Sequence, residues 1–140
     1  ELSQVDFDQV KDAITDETAH RRARHVVGEV QRTKDAVEAL KNGDIVKFGQ
    51  LMNQSHVSLR DDYEVTGPQL DALAEAAWKI DGVLGSRMTG GGFGGCTVSL
   101  VREEAIPAFI EKVGAEYTEK TGLTADFYIA EIGDGAHRVK

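Results

Sequence analysis

The sequence predicts an α+β fold, an antiparallel sheet covered by helices. Three observations carry that expectation. Three successive segments place apolar residues at three- and four-residue steps, the period drops to two near residue 83, and a helical period returns after residue 105. The 140 residues suit one domain spanning 1–140. A globule of that size removes roughly 68–70% of its unfolded surface from water, enough for a core without disulfides or metal.

Each element follows from local pattern. Residues 1–16 are polar and acidic, with Phe7, Val10 and Ile14 spaced for a short helix over 7–14. Residues 17–40 are charged and helix-favouring, and Val26, Val30, Thr33, Val37 and Leu40 fall on one stripe. Asn42-Gly43 ends that helix, since glycine readily takes the left-handed conformation past a helix terminus. Asp44 caps the next helix, whose apolar face is Ile45, Phe48, Leu51, Met52 and Leu59, closed by Arg60-Asp61-Asp62. Thr66 and Gln69 have capping-box spacing and Pro68 suits a first turn, so a third helix begins there. Its face is Leu70, Leu73, Ala74, Ala77 and Ile80, and Asp81-Gly82 stops it.

Residues 83–88 read as a short strand, and residues 96–101 alternate as a half-buried one. Ile106, Phe109, Ile110, Val113 and Tyr117 return to helical spacing, with Pro107 tolerated in the first turn. Residues 125–129 read as a third strand, and residues 133–136 as a turn. No repeat, low-complexity linker or internal boundary interrupts the chain.

Composition excludes several function classes. The single cysteine, Cys96, rules out an intramolecular disulfide, a cysteine-based zinc site and a CxxC pair. Twenty-four acidic against 16 basic residues, a net charge of −8, argues against broad binding of nucleic acid or anionic membrane. No run approaches the ~18 apolar residues of a membrane span, and no signal-peptide pattern opens the chain.

The most informative segment is Gly90-Gly91-Gly92-Phe93-Gly94-Gly95. Glycine loses more backbone entropy on ordering than any other residue, so such a cluster is costly unless the loop needs positive φ or close backbone approach. A run of residues without Cβ can turn successive N–H groups toward one point and hold an anion without a cationic side chain. The plainer reading is a hairpin loop, but ordinary hairpins need only one or two glycines. Gly90, Gly92 and Gly95 satisfy G-x-G-x-x-G, yet a strand follows where a dinucleotide site needs a helix. No Gly-Lys-Ser/Thr ends the cluster, and the protein-kinase signatures His-Arg-Asp and Asp-Phe-Gly are absent. A glycine loop joining two antiparallel strands remains.

Arg87, on the strand before the loop, is a candidate phosphate contact, against the alternative of a structural ion pair. His20, Arg21, Arg22, Arg24 and His25 form a basic patch, read first as a solvated or salt-bridged helix start and second as an anion site. Asp61, Asp62 and Glu64 read as solvated or capping acids rather than a metal or acid–base pair. His56 is expected on a helix surface or partly buried, Trp78 in packing, and Cys96 as a small buried hydrophobe. His137 carries no signal. No catalytic residue and no metal ligand is assigned.

Three segments carry a resemblance. Arg21-Arg22-Ala23-Arg24-His25-Val26-Val27 is similar to a segment of galactokinases. So is Ser58-Leu59-Arg60-Asp61-Asp62-Tyr63-Glu64-Val65, followed by the helix start Pro68-Gln69-Leu70-Asp71. The stretch Gly85-Ser86-Arg87-Met88-Thr89-Gly90-Gly91-Gly92-Phe93-Gly94-Gly95-Cys96 resembles the third sequence motif of the GHMP small-molecule kinases in its galactokinase form. The matches run in one order over roughly residues 20–136.

The resemblance implies a ferredoxin-like GHMP kinase C-terminal domain, with one strand usual in that domain missing from this chain. It implies an enzyme that moves the γ-phosphate of Mg-ATP to the anomeric hydroxyl of α-D-galactose, in the cytoplasm. It also implies that Gly90, Gly91, Gly92, Phe93, Gly94 and Gly95 lie near sugar and phosphates between two lobes. The family's Gly-Leu-Ser-Ser-Ser-type nucleotide motif, its galactokinase arginine and its catalytic aspartate have no counterpart here. The expectation is therefore a fragment without its N-terminal lobe, matching a chain that opens on Glu1 rather than Met. Alone it is expected to be inactive, to bind neither ATP nor Mg2+, and to expose the surface meant for that lobe. Galactose and ATP would be engaged through the absent lobe, with no nucleic acid or membrane as partner. Two other functions fit the same residues. One is a galactokinase-like sensor of sugar and ATP, and the other a kinase for a related amino sugar. Phe93 favours the galactokinase form over the tryptophan variant of the amino-sugar branch.

Overall fold

The computed structural model describes residues 3–133, 135 and 138. The turn read over 133–136 and His137 therefore lie partly or wholly outside the described residues. Helix α1 (Gln4–Val10) opens on a capping box in which Ser3 and Asp6 satisfy each other's free N–H groups, and it continues as a 3-10 turn, Lys11–Ala13. Phe7 is buried and meets the His20 ring at 5.6 Å, pinning α1 to α2 (Glu17–Lys41).

The inward face of α2 is not the predicted valine stripe. His25 and Ala39 are buried and Glu29, Arg32 and Ala36 half-buried, whereas Val26, Val37 and Leu40 stay exposed. The reason is polar pairing: Glu29 accepts from Ser55 Oγ at 2.6 Å and from Arg32, so ionised groups on this face find partners under α3.

Helix α3 (Ile45–Ser58) starts at the predicted cap, Asp44, and its end widens into a π-helical turn, Leu59–Tyr63. Glu64 stops that turn in the left-handed region at φ 58°, ψ 46°. Helix α4 (Pro68–Trp78) is capped by Gly67, with no side-chain cap; Thr66 is buried instead of capping. The predicted capping box is not observed; the cap falls one residue later, on Gly67, whose φ of 82° suits glycine.

Strands β1 (Val83–Thr89) and β2 (Cys96–Val101) pair antiparallel, from Thr89 opposite Cys96 to Val83 opposite Val101. A 3-10 turn, Glu103–Ala105, leads into α5 (Ile106–Thr121), which ends on Gly122 at φ 72°. Helices α3 and α4 both pack on β1, α2 lies on α3, and α5 lies on α4. Two apolar clusters result: Leu59, Leu70 and Met88 with Val65, and Ala76, Ala77 and Val113 with Phe109 and Phe127.

The antiparallel sheet covered by helices is observed, with two strands among the described residues. The strand read over 125–129 does not form. A strand exists only through ladder bonds to a neighbour, and this segment forms no ladder with β1 or β2. It is held by Phe127, which meets Phe109 edge-on at 5.9 Å, while Tyr128 and Ile129 stand in solvent.

Candidate functional site

The glycine loop joins β1 to β2 at the end where Thr89 faces Cys96. Phe93 occupies the left-handed region at φ 58°, and its N–H donates to the Val65 carbonyl at 2.8 Å. Gly92, at φ 85°, passes so close that a Cβ there would lie 2.1 Å from the same oxygen. Only glycine permits this contact. The Phe93 ring, 79% exposed, packs on nothing that would offset its backbone conformation.

Beside the ring opens a shallow hollow of about 870 Å³, lined by Arg22, Val26, Tyr63, Glu64, Gly91 and Phe93 among others. Sequence reading missed Val65 and Tyr63 as parts of this site. Val65 acts through its carbonyl, and no side-chain pattern signals that.

The basic patch on α2 and the acidic run after α3 meet here, one consuming the other. Arg22 donates to Glu64 Oε2 at 2.7 Å and to the backbone carbonyl of Asp62. Arg21 reaches the same Glu64 oxygen at 3.1 Å, and Arg24 Nε donates to Asp62 Oδ1 at 3.0 Å. The hydrogen bonds from Arg22, with Arg21 beside it, hold the Glu64 carboxyl below the usual carboxylate range. The acids at 62 and 64 are therefore structural partners of arginine.

Ser58 Oγ donates to Asp62 Oδ2 at 2.9 Å, so the His25 Nδ1 lying 3.0 Å from Ser58 supplies the hydrogen to that oxygen. With its Nδ1 hydrogen directed at Ser58 Oγ, the His25 imidazole is not placed to take the serine proton as the base of a catalytic triad does. Burial pushes the His25 pKa down, and the ring stacks on Tyr63 at 4.6 Å.

Arg87 lies apart from the hollow. Its Nε donates to Met88 O at 3.1 Å and its Nη1 stands 4.0 Å from Glu29 Oε2. His56 is fully buried rather than at a helix surface. Its Nδ1 accepts from Met88 N–H at 3.0 Å and its Nε2 pairs with Asp71 Oδ1 at 3.1 Å. Trp78 packs as expected, edge-on to His56, with Nε1 donating to Ser86 O. Cys96 is exposed, not buried, because it sits at the rim where β2 leaves the loop. Among the described residues, no group of His, Cys, Asp or Glu is arranged to hold a metal ion, and no helix is long and apolar enough to cross a membrane.

Comparisons with known proteins agree on one family. The family described as "GHMP kinases C terminal" matches residues 36–119. The galactokinase of Fusobacterium nucleatum is 61% identical over the whole chain, and that of Bacillus subtilis 53%; the chain covers 36% of each. It thus spans about a third of the length of the curated relatives it matches. A crystal structure of Lactococcus lactis galactokinase complexed with galactose superposes with a TM-score of 0.91 at 54% identity, over 96% of this chain and 34% of that one. The mevalonate kinase of L. major, solved with R-mevalonate, superposes at 0.65 with 22% identity over 86% of this chain and 37% of that one, a likeness of fold alone.

Proposed function

We propose, from the premise that this chain belongs to the GHMP kinases and forms their C-terminal domain, that it is the C-terminal lobe of a galactokinase. The whole enzyme would transfer the γ-phosphate of ATP to the C1 hydroxyl of α-D-galactose in the cytoplasm. The observation that carries this reading is the unbroken match to galactokinases along the full chain, at 53–61% identity.

Phosphoryl transfer is mostly positioning and stabilisation of charge on the phosphate oxygens. In this reading residues 90–95 line the lobe-facing side of the cleft, near sugar and phosphates, and contribute backbone shape rather than charged side chains. Arg87 would need to leave Glu29 to serve as an anion contact. Among the described residues no group of carboxylates is arranged to hold Mg2+, and Asp62 and Glu64 are already held by arginines. ATP, Mg2+ and nucleophile activation accordingly belong to the N-terminal lobe, outside residues 1–140. The exposed Phe93, Val26 and Tyr63 around the hollow are the surface on which that lobe docks.

Half of an interlobe cleft keeps the ordering cost of binding and loses most contacts. An ATP-to-galactose assay on the purified 140-residue chain is expected to give no turnover, while the two-lobed polypeptide phosphorylates galactose. Turnover by the chain alone, or none by the two-lobed polypeptide on galactose, overturns the assignment.

A further inference from the structure

The three segments that resemble galactokinases are far apart in sequence and meet in one place. Helix α2 supplies Arg21, Arg22 and His25; the π-helical turn and the residues after it supply Asp62, Glu64 and Val65; the glycine loop supplies Gly92 and Phe93. Their contacts form a series. Arg22 grips both the backbone of the turn, at the Asp62 carbonyl, and the Glu64 carboxylate. Glu64 then holds the left-handed conformation that aims the next residue. Val65 N–H closes back on the Leu59 carbonyl at 3.1 Å, and Val65 O receives the Phe93 N–H.

Stability alone accounts poorly for this arrangement. Exposed ion pairs contribute little, and a non-glycine residue at positive φ costs free energy wherever it stands. Two such residues, Glu64 and Phe93, flank a single hydrogen bond, next to a π-helical turn of the kind often found at functional sites. Strain gathered around one contact implies that the position of that contact matters.

We propose that Arg22 and Glu64 are positioning residues: their clamp on the π-helical turn fixes the Val65 carbonyl and, through it, the place of the glycine loop. Both act through partners within this chain, Arg22 on Glu64 and the Asp62 carbonyl, and Glu64 on Arg22 and Arg21. The consequence for turnover rests on the galactokinase reading above, whereas the consequence for the loop does not.

Glu64→Asn is the discriminating variant, because asparagine tolerates the left-handed backbone and replaces the carboxylate with a shorter neutral amide. Arg22→Met keeps an unbranched side chain and removes both donors, together with the guanidinium that stands 5.6 Å from the Tyr63 ring centroid. Each is made in the two-lobed polypeptide and followed by hydrogen–deuterium exchange. Peptides covering residues 89–96 are expected to exchange about tenfold faster in both variants, with peptides of α4 and α5 unchanged. Turnover is expected to fall about tenfold, with KM for ATP and galactose within about twofold, as for a displaced but intact site. Loop exchange that stays at the parent rate, or rises only together with α4 and α5, overturns the clamp. Faster loop exchange in both variants with undiminished turnover upholds the clamp and removes the loop from the transfer site.

Discussion

His56 shows how one buried side chain ties the sheet to the helices just before the glycine loop. Its Nδ1 accepts from Met88 N–H, so Nε2 carries the hydrogen and donates to Asp71. Burial pushes its pKa below the ordinary value of 6.5, with Asp71 opposing. The folded state therefore binds that proton less readily than the unfolded chain. The stability this ring contributes is complete above pH about 6.5 and is lost as the pH falls toward the folded-state pKa. His25, shifted the same way by burial, adds to the same slope. Replacing His56 by Phe strands both partners, and an unsatisfied buried group costs about 1–3 kcal/mol. His56→Phe is thus expected to lower stability by about 2–4 kcal/mol at pH 7.5 and to flatten its decline between pH 7 and 5. Urea unfolding across that range measures both. A parent-like slope in the variant would assign the pH dependence to other groups.

At the scale of elements, α3 and β1 approach closely enough to exclude a Cβ between them. A Cβ on Gly49 would stand 2.1 Å from the Leu84 carbonyl oxygen, and one on Gly85 would stand 2.3 Å from the Gly49 oxygen. Two glycines thus let the α3 backbone lie against the strand that leads into the loop. Gly49→Ala would favour an isolated helix by about 1 kcal/mol, yet here it forces backbone apart. A net loss of about 2–4 kcal/mol is expected, read from the denaturation midpoint, in the range of an overpacked core. No loss would mean that α3 slides on β1 without cost. That contact was not legible in the sequence, since a helical glycine at 49 and a strand glycine at 85 carry no mark of each other. Helices and the β1–loop–β2 hairpin were legible, because apolar period and a glycine cluster are local signals. The stripe of α2 was misread because its inward face is charged and paired. The segment 125–129 was misread because alternation announces a strand but not the neighbour it needs. Of the site, the loop was legible and the Val65 contact was not, being made by backbone after a π-helical turn.

For the whole molecule, the decisive fact is how apolar side chains are distributed. Val26 is 52% exposed and Phe93 79%, and both line the same hollow. Grouped in one hollow, they form the face on which the galactokinase reading puts the second lobe. Val26→Glu tests that placement. An exposed helical position tolerates substitution within about 0.5 kcal/mol, so the domain should keep its unfolding midpoint. If a second lobe seals the hollow, the introduced carboxylate must be desolvated beside an Arg22 already bound to Glu64 and the Asp62 carbonyl, at a cost of several kcal/mol. The lobes then part or tilt, and galactose phosphorylation by the two-lobed polypeptide is expected to drop by about a hundredfold, since misplacement of about 1 Å suffices for that. The effect should persist at high salt, because it comes from burying a charge and not from a screened surface pair. Unchanged turnover in the Val26→Glu variant would leave the hollow open to solvent in the whole enzyme and move the lobe contact elsewhere.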